Sequence, residues 1–272
     1  MHIHALDAYH HRTSLVHSLD GRVKLALALL FIISAAVIPD GAWPAYVLLA
    51  ALALGVTVAS QLGVGFVQRR AAVVLSFALA AVTVVFSTPG RSLLAMRVLG
   101  QQLAVTDAGL VRFVSILLKS WLSVQMAVVL TASTHFPTLL RAMRSLRVPR
   151  ILVAIAGFAY RYIFVIGDEA LRLTRARAAR SGFLSLSKEG ASDRRGGGSV
   201  FWRAWVTGGM VGSLFLRSIE RSERIYDAML ARGYDGEVRS LRPPILQARD
   251  VLIALPFVLV LVAIQFVARL SW

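Results

Sequence analysis

Residues 251–268 read VLIALPFVLVLVAIQFVA, a run without a charged side chain in which Gln265 is the one strongly polar residue. A helix that crosses the hydrocarbon core of a bilayer needs about 20 mostly apolar residues, with a range of about 17–25. The run therefore predicts a transmembrane helix, and it makes a membrane protein the first hypothesis for the whole chain.

The composition of the whole chain supports that hypothesis. Of its 272 residues, 57% are hydrophobic and 16% are charged, whereas about 25% of the residues of a soluble domain are charged. The mean hydropathy of +0.68 excludes an ordinary soluble domain, and it excludes intrinsic disorder, which requires low hydrophobicity. Four further apolar runs are long enough, or nearly so, to span a bilayer: residues 23–38, 42–60, 71–88 and 109–133. We predict an all-α polytopic membrane protein with about five transmembrane helices.

The net charge of +16 is concentrated in one segment. Residues 134–250 carry 20 of the 30 Lys and Arg residues, against 10 of the 14 Asp and Glu residues. Because Lys and Arg favour the cytoplasmic side of a membrane, we place this segment, and by alternation the N-terminus, in the cytoplasm. The basic residues are interleaved with Leu, Ile and Val at helical spacing, which argues against binding of nucleic acid. The chain then divides into a polar cytoplasmic arm, four spans, a cytoplasmic helical module and a last span: residues 1–22, 23–133, 134–250 and 251–272.

Prolines and glycines divide the module into helices. A short helix over 137–148 ends before Pro149, since the residue before a proline avoids the helical region. Two long helices follow, over residues 150–181 and 200–230, and a loop over 188–199 that contains three consecutive glycines separates them.

The first half of the first long helix, residues 151–166, is apolar enough to be a sixth span. A crossing there would place the four arginines between 172 and 180 outside, against the positive-inside rule. It would also place Arg161 near the middle of the bilayer, where charge is costly. We favour a helix that lies at the cytoplasmic interface, with a crossing as the alternative.

The two long helices end in similar triplets, in which an arginine is flanked by small residues. The triplets are Ala179-Arg180-Ser181, followed by Gly182, and Ala231-Arg232-Gly233. Glycine favours the position just after a helix, because it adopts the left-handed conformation without cost. An arginine near a helix C-terminus interacts favourably with the helix dipole, which explains either arginine alone. Small neighbours leave each guanidinium projecting, and its fork can pair bidentately with a carboxylate.

A cluster of small residues lies in the second long helix. Gly208 and Gly212 are one turn apart, with Gly209 beside them. Small residues at that spacing let two helices approach closely, so we predict a helix crossing at these three glycines.

At these residues the chain resembles the transmembrane T component of energy-coupling factor (ECF) transporters, most closely the CbiQ type that serves cobalt or nickel uptake. Further residues carry the resemblance: Leu19-Asp20-Gly21-Arg22-Val23-Lys24-Leu25, residues 134–149, Tyr160-Arg161-Tyr162 and Asp168-Glu169-Ala170. The resemblance covers nearly the whole chain, and the two arginine triplets are its most specific part.

The resemblance implies a non-catalytic coupling subunit in a bacterial cell (inner) membrane. Such a subunit links a substrate-capturing membrane S component to two cytoplasmic ABC-type ATPases, and each long helix inserts its triplet into a groove on one ATPase. Carried over, Ala179, Arg180 and Ser181 form the first coupling triplet, and Ala231, Arg232 and Gly233 form the second. Ser181 departs from the family pattern, which has glycine there. A vitamin importer that uses the same subunit type stays open as an alternative.

Other chemistry has little support in the sequence. The phosphate-loop pattern, the G-x-S-x-G elbow and the H-E-x-x-H motif are absent, so we predict no catalytic residue, no resident metal and no cofactor. A membrane enzyme that acts on lipid is the competing class, and it would need a polar catalytic cluster near one interface.

Three groups remain open in the sequence. The five histidines of the arm have no ligand spacing, which favours a solvated arm that packs on the cytoplasmic side over a cobalt or nickel site. Lys119 lies inside the fourth span, and a charged residue within a membrane usually indicates a functional role. The alternative is that this span is buried beside other helices. Adjacent Asp168 and Glu169 point about 100° apart on a helix, so we predict an ion pair of Asp168 with Arg172 rather than joint acid–base chemistry.

Overall fold

The computed structural model describes residues 9–89, 91–98, 101–185, 199–236 and 247–270. Those residues form ten helices and one two-stranded hairpin. The elements are α1 (Leu15–Ser18), α2 (Gly21–Val37), α3 (Trp43–Ala59), α4 (Val64–Ala71), a 3₁₀ turn (Ala72–Val74), α5 (Leu75–Ser87), β1 (Ser92–Val98), β2 (Gln101–Thr106), α6 (Asp107–Ser133), α7 (Phe136–Ser145), α8 (Arg150–Ser185), α9 (Val200–Leu230) and α10 (Ala248–Leu270). His2, His4 and almost all of the loop predicted over 188–199 lie outside the described residues.

The chain divides into two compact units. The bundle unit comprises residues 8–147 and 242–272, and the two-helix unit comprises Val148–Leu241, which holds α8 and α9. The two-helix unit begins at Val148, and α7 belongs to the bundle unit, where it packs on α2. The cytoplasmic module over 134–250 stays a prediction.

All five predicted spans fall on helical segments, and the prediction of a helical, multi-pass membrane protein is confirmed. Among the residues that the structure describes, three helices are long and apolar enough to cross a membrane: Asp107–Ser133, Arg150–Arg180 and Ala248–Leu270. The third predicted span is not one straight helix. The helical segments Val64–Ala78 and Ala81–Ser87 meet at a bend of 44°, and if this pair forms one span, the number of candidate spans becomes four. Arg150–Arg180 thus has the length and apolarity of a crossing, and its placement at the cytoplasmic interface stays a prediction.

The core of the bundle unit lies between α2, α3, α6 and α10. Its fully buried side chains include Phe31 of α2 and Leu49 of α3, and Ile264 of α10 is 3% exposed. The polar Gln265 of α10 is satisfied there, because its amide donates to the carbonyl and the hydroxyl of Ser34 at 2.7 and 2.6 Å. A partly buried donor that has partners avoids the cost of a lost hydrogen bond, so the one strongly polar residue in this apolar run fits the bundle.

The hairpin between α5 and α6 was not predicted. Its strands pair antiparallel from Val98 opposite Gln101 to Ser92 opposite Thr106, with an irregularity between Ser92 and Leu94. Thr106 then begins the long helix α6, since its Oγ1 accepts from the N–H of Gly109 at 3.1 Å and donates to the carbonyl of Thr88 at 2.8 Å. The hydroxyl of Thr106, at the end of the hairpin, therefore links the residue after α5 to the first turn of α6.

Lys119 of α6 finds an acidic partner within the bundle unit. Its Nζ lies 2.8 Å from Oδ1 of Asp40, in the turn between α2 and α3, and Nε of Arg112 lies 3.8 Å from Oδ2 of the same carboxylate. The N–H of Gly41 donates to Oγ of Ser115 at 3.1 Å. These contacts attach the α2–α3 turn to the middle of α6, which assigns the charge inside span four to helix packing.

We expect Asp40→Asn to lower the free energy of unfolding by about 1–2 kcal/mol, because Lys119 keeps its charge and loses its partner. Arg112→Gln serves as the control, since its ion pair is longer and the Arg112 side chain is 55% exposed, a setting in which an ion pair contributes little. Thermal unfolding of the purified protein in detergent measures both variants. Equal shifts in the two variants would contradict the assignment.

Candidate coupling site

The second arginine triplet lies at the C-terminal end of α9 in a Schellman arrangement. The N–H of Tyr234 donates to the carbonyl of Met229 at 3.0 Å, and the N–H of Gly233 donates to that of Leu230 at 2.9 Å. These are the two hydrogen bonds of that motif. Gly233 has a φ of +78°, which confirms the conformation that we predicted for it. Arg232 is thereby the last residue before the chain turns, and it is exposed.

We expect Gly233→Ala to loosen this turn, because a left-handed conformation costs an L-residue about 1–2 kcal/mol. A Cβ at Gly233 would meet no atom within 4 Å, so the effect isolates backbone strain from crowding. Hydrogen exchange of the amides of residues 233 and 234 should accelerate about tenfold. Gly209→Ala, on the same helix and equally open, should leave that exchange unchanged, and unchanged exchange in Gly233→Ala would refute the account.

The first arginine triplet does not end its helix. The helix that we predicted to end at residue 181 continues to Ser185, so Ala179, Arg180 and Ser181 lie inside its last turns, and Gly182 is helical. A single Ser–Gly pair costs a helix about 1 kcal/mol, and no proline follows it to force an end. Ala179 and Arg180 are nevertheless exposed, so the guanidinium of Arg180 projects from the helix surface as that of Arg232 does.

The helices α8 and α9 run antiparallel within the two-helix unit. Nη1 of Arg177 donates to Oγ1 of Thr207 at 3.0 Å, whereas Nη2 of Arg221 donates to Oε2 of Glu169 at 2.7 Å. As residue numbers rise along α8, those of the α9 partners fall. Arg180 and Arg232 therefore lie toward opposite ends of the helix pair.

The glycines predicted as a helix crossing do not form one in the described part of the chain. A Cβ at Gly208, Gly209 or Gly212 would meet no atom within 4 Å. The hydrogen bonds between the two helices are made by longer side chains, among them Glu169 and Arg221. Small residues permit close approach but do not require it, and a crossing at these glycines stays a prediction.

Comparison with known proteins identifies the family. The family model of the cobalt transport protein CbiQ matches residues 12–244, which is most of the chain and includes both arginine triplets. The chain belongs to the CbiQ family. This confirms the resemblance that the triplets and the arm carry.

Curated relatives of this CbiQ-family chain are distant. The cobalt transport protein CbiQ of Rhodobacter capsulatus is 25% identical over 158 residues, 57% of this chain and 58% of that protein. An uncharacterised protein of Methanocaldococcus jannaschii is 26% identical over 166 residues, 61% of this chain and 52% of that protein. A putative fused cobalt transport protein CbiMQ of Methanocorpusculum labreanum is 29% identical over 109 residues, 39% of this chain and 16% of that protein. The chain thus spans little more than half the length of the first two.

The described part of the N-terminal arm, which begins at Tyr9, packs against the end of α6 and the residue before α7 in this CbiQ-family chain. The ring of Tyr9 stacks on His135 at 3.5 Å between centroids, and the N–H of His10 donates to the carbonyl of Ala132 at 3.0 Å. His17 donates from Nε2 to the carbonyl of His10 at 3.1 Å. Burial lowers the pKa of His17, as does the charge of Lys24, although the hydrogen bond to His10 opposes the shift. Across the described residues, no three His, Asp or Glu side chains converge on a possible ion site.

The sequence did not reveal which acidic residue of α8 forms an ion pair. The ion pair predicted between Asp168 and Arg172 does not form in the described residues, and it is Glu169 that pairs, across to α9. Neither Arg180 nor Arg232 forms a hydrogen bond or an ion pair of its side chain with another described residue. The two-helix unit thus presents two exposed guanidinium groups toward opposite ends of one helix pair.

Proposed function

We propose that this chain is the coupling subunit of an ECF-type ABC importer for cobalt or nickel ions. The observation that carries the proposal is the pair of exposed arginines, Arg180 and Arg232, on the two antiparallel helices of a separate compact unit. Each arginine would insert into a groove on one of two cytoplasmic ABC-type ATPases. The triplets Ala179-Arg180-Ser181 and Ala231-Arg232-Gly233 would form the contacts.

The chemistry of the exposed Arg180 and Arg232 side chains suits a protein partner. An exposed guanidinium with small neighbours can enter a groove and pair bidentately with a carboxylate, and it stays charged when it is buried. The chain has no phosphate loop of its own, so ATP would be bound and hydrolysed by the partners. The role of this chain would be to transmit their motion without catalysis.

Cobalt is the substrate that the family description favours, and nickel is its chemical neighbour. The curated relative of Rhodobacter capsulatus is named for cobalt transport, and the relative of Methanocorpusculum labreanum is named a putative fused cobalt transport protein CbiMQ. Such a fusion supports a membrane partner, which would be the S component that captures the ion.

The charge distribution supports the orientation. The excess of basic residues over 134–250 would lie on the cytoplasmic side of a bacterial cell membrane, where both triplets could reach an ATPase. The N-terminus would lie on the same side. The bundle unit would contact lipid and the S component.

Uptake by a reconstituted transporter tests the proposal. Liposomes that contain this chain with its S component and both ATPases should accumulate radioactive cobalt when ATP is supplied, and omission of the chain should abolish accumulation. An ATPase variant that binds but does not hydrolyse ATP should still co-purify with the chain and should not support uptake. If the chain purifies without an ATPase and modifies lipid on its own, the membrane-enzyme alternative replaces this function.

A further inference from the structure

One ion pair joins the two helices of the two-helix unit at a largely shielded position. The carboxylate of Glu169 is 12% exposed and accepts from two arginines of α9. Nη2 of Arg221 lies 2.7 Å from Oε2, and Nη1 of Arg217 lies 3.4 Å from Oε1. The two arginines are one helical turn apart, so both reach the same carboxylate. A charge-assisted pair of this kind is roughly twice as strong as a neutral hydrogen bond.

The pair lies midway between the two arginine tips. Glu169 precedes Arg180 by 11 residues, and Arg221 precedes Arg232 by 11 residues. At a rise of 1.5 Å per residue, each helix extends about 16 Å from the ion pair to its own arginine. The two helical segments from the ion pair to Arg180 and to Arg232 are therefore equal in length. They point in opposite directions, because the helices run antiparallel.

Open grooves between the helices flank the pair on both sides. Toward the Arg180 end lies a groove of about 410 Å³. Toward the Arg232 end lies a groove of about 530 Å³, whose wall includes Tyr162, Ile225 and Met229. Arg221 lines both grooves. The open space on both sides of the ion pair leaves room for the angle between the helices to change, while the pair holds them together at this point. The hydrogen bond of Arg177 to Thr207, toward the Arg180 end, would have to open in such a movement.

We propose that Glu169, clamped by Arg221 and Arg217, is the pivot about which α8 and α9 change their angle. Two donors on one carboxylate hold the contact while the angle between the helix axes changes. Because the two helical segments are equal in length, a rotation about this point moves Arg180 and Arg232 by the same distance. The two ATPases would then undergo, or cause, displacements of equal size. Glu169 is thus a positioning residue that acts through Arg180 and Arg232, and the proposal rests on the proposed function.

Distances between spin labels test the pivot directly, because the chain has no cysteine of its own. Labels at Ala179→Cys and Ala231→Cys report the separation of the tips in the full-length chain. We expect Glu169→Gln to broaden the distance distribution and to shift its maximum, whereas Asp168→Asn, its neighbour on α8, should change neither. Reversal of the pair, Glu169→Arg with Arg221→Glu, should restore the original distribution.

Transport measurements separate a pivot from a merely structural contact. In the reconstituted transporter, Glu169→Gln should retain the ATPases and their hydrolysis but lose about tenfold in ions transported per ATP, and the reversed pair should recover most of that loss. An unchanged tip distance in Glu169→Gln would overturn the pivot. If Glu169→Gln does not fold, the reversed pair decides, since a restored distance supports the pivot and a failure to restore it refutes it. If no ATPase binds even the unaltered chain, the proposed function fails, and the spin-label distances still judge the pivot.

Discussion

Arg232→Glu is expected to remove most of the ATPase that co-purifies with this chain. The substitution places a carboxylate where the proposed partner offers a carboxylate, and repulsion replaces the bidentate pair. Loss of one partner of a buried interfacial charge pair costs at least about 2 kcal/mol, which is about thirtyfold in affinity. Arg180→Glu should weaken the contact at the other end of the helix pair, and no ATPase should co-purify with the double variant. The ratio of ATPase to chain after affinity purification measures the effect of each variant.

Two matched variants make that result specific. Arg224→Glu changes the charge of another exposed arginine of α9, two turns before the tip, and should leave recovery near that of the unaltered chain. Arg232→Lys keeps the charge without the planar fork, so an intermediate loss is expected. Full recovery of ATPase by the double variant would refute the proposed role of both tips.

The spans could be predicted from the sequence because each apolar run is uniform and long. The run over 251–268 lies within α10, and the runs over 23–38 and 42–60 lie on α2 and α3. The same logic applies to Gly233, since glycine after a long amphipathic helix has a specific conformational reason to be there. These predictions depend on local sequence and on solvation by lipid, and both can be read residue by residue.

Contacts between distant segments could not be predicted in the same way. Glu169 has Arg172 one helical turn away on its own helix, and the sequence alone gives no reason to prefer Arg221, which lies 52 residues away. Asp40 likewise pairs with Lys119 across 79 residues. The end of α8 was misplaced because a Ser–Gly pair weakens a helix without stopping it. The hairpin was missed because its strands depend on backbone pairing between two short segments, Ser92–Val98 and Gln101–Thr106.

Gly109→Ala is expected to destabilise the bundle unit by about 1–3 kcal/mol, the usual cost of forcing an extra methyl group into a packed site. Gly109 lies in the first turn of α6, where the backbone of α5 passes directly over it. A Cβ at Gly109 would lie 2.5 Å from the carbonyl oxygen of Val85 and 2.7 Å from Oγ1 of Thr106. The carbonyl belongs to the backbone, so it yields only if α5 moves as a whole. A lower melting temperature of the purified chain in detergent measures the effect.

Movement of α5 would also break the connection that Thr106 makes. Its hydroxyl donates to the carbonyl of Thr88 at 2.8 Å and accepts from the N–H of Gly109 at 3.1 Å. If α5 moves away from α6, the hydrogen bond to Thr88 is lost. Gly55→Ala is the matched control, because a Cβ at Gly55 in α3 meets no atom within 4 Å. That variant should gain up to about 1 kcal/mol, since alanine favours a helix over glycine. The two glycine-to-alanine changes therefore have opposite expected signs, and a Gly109→Ala protein that melts at or above the temperature of the unaltered chain would show that α5 and α6 do not meet at this glycine.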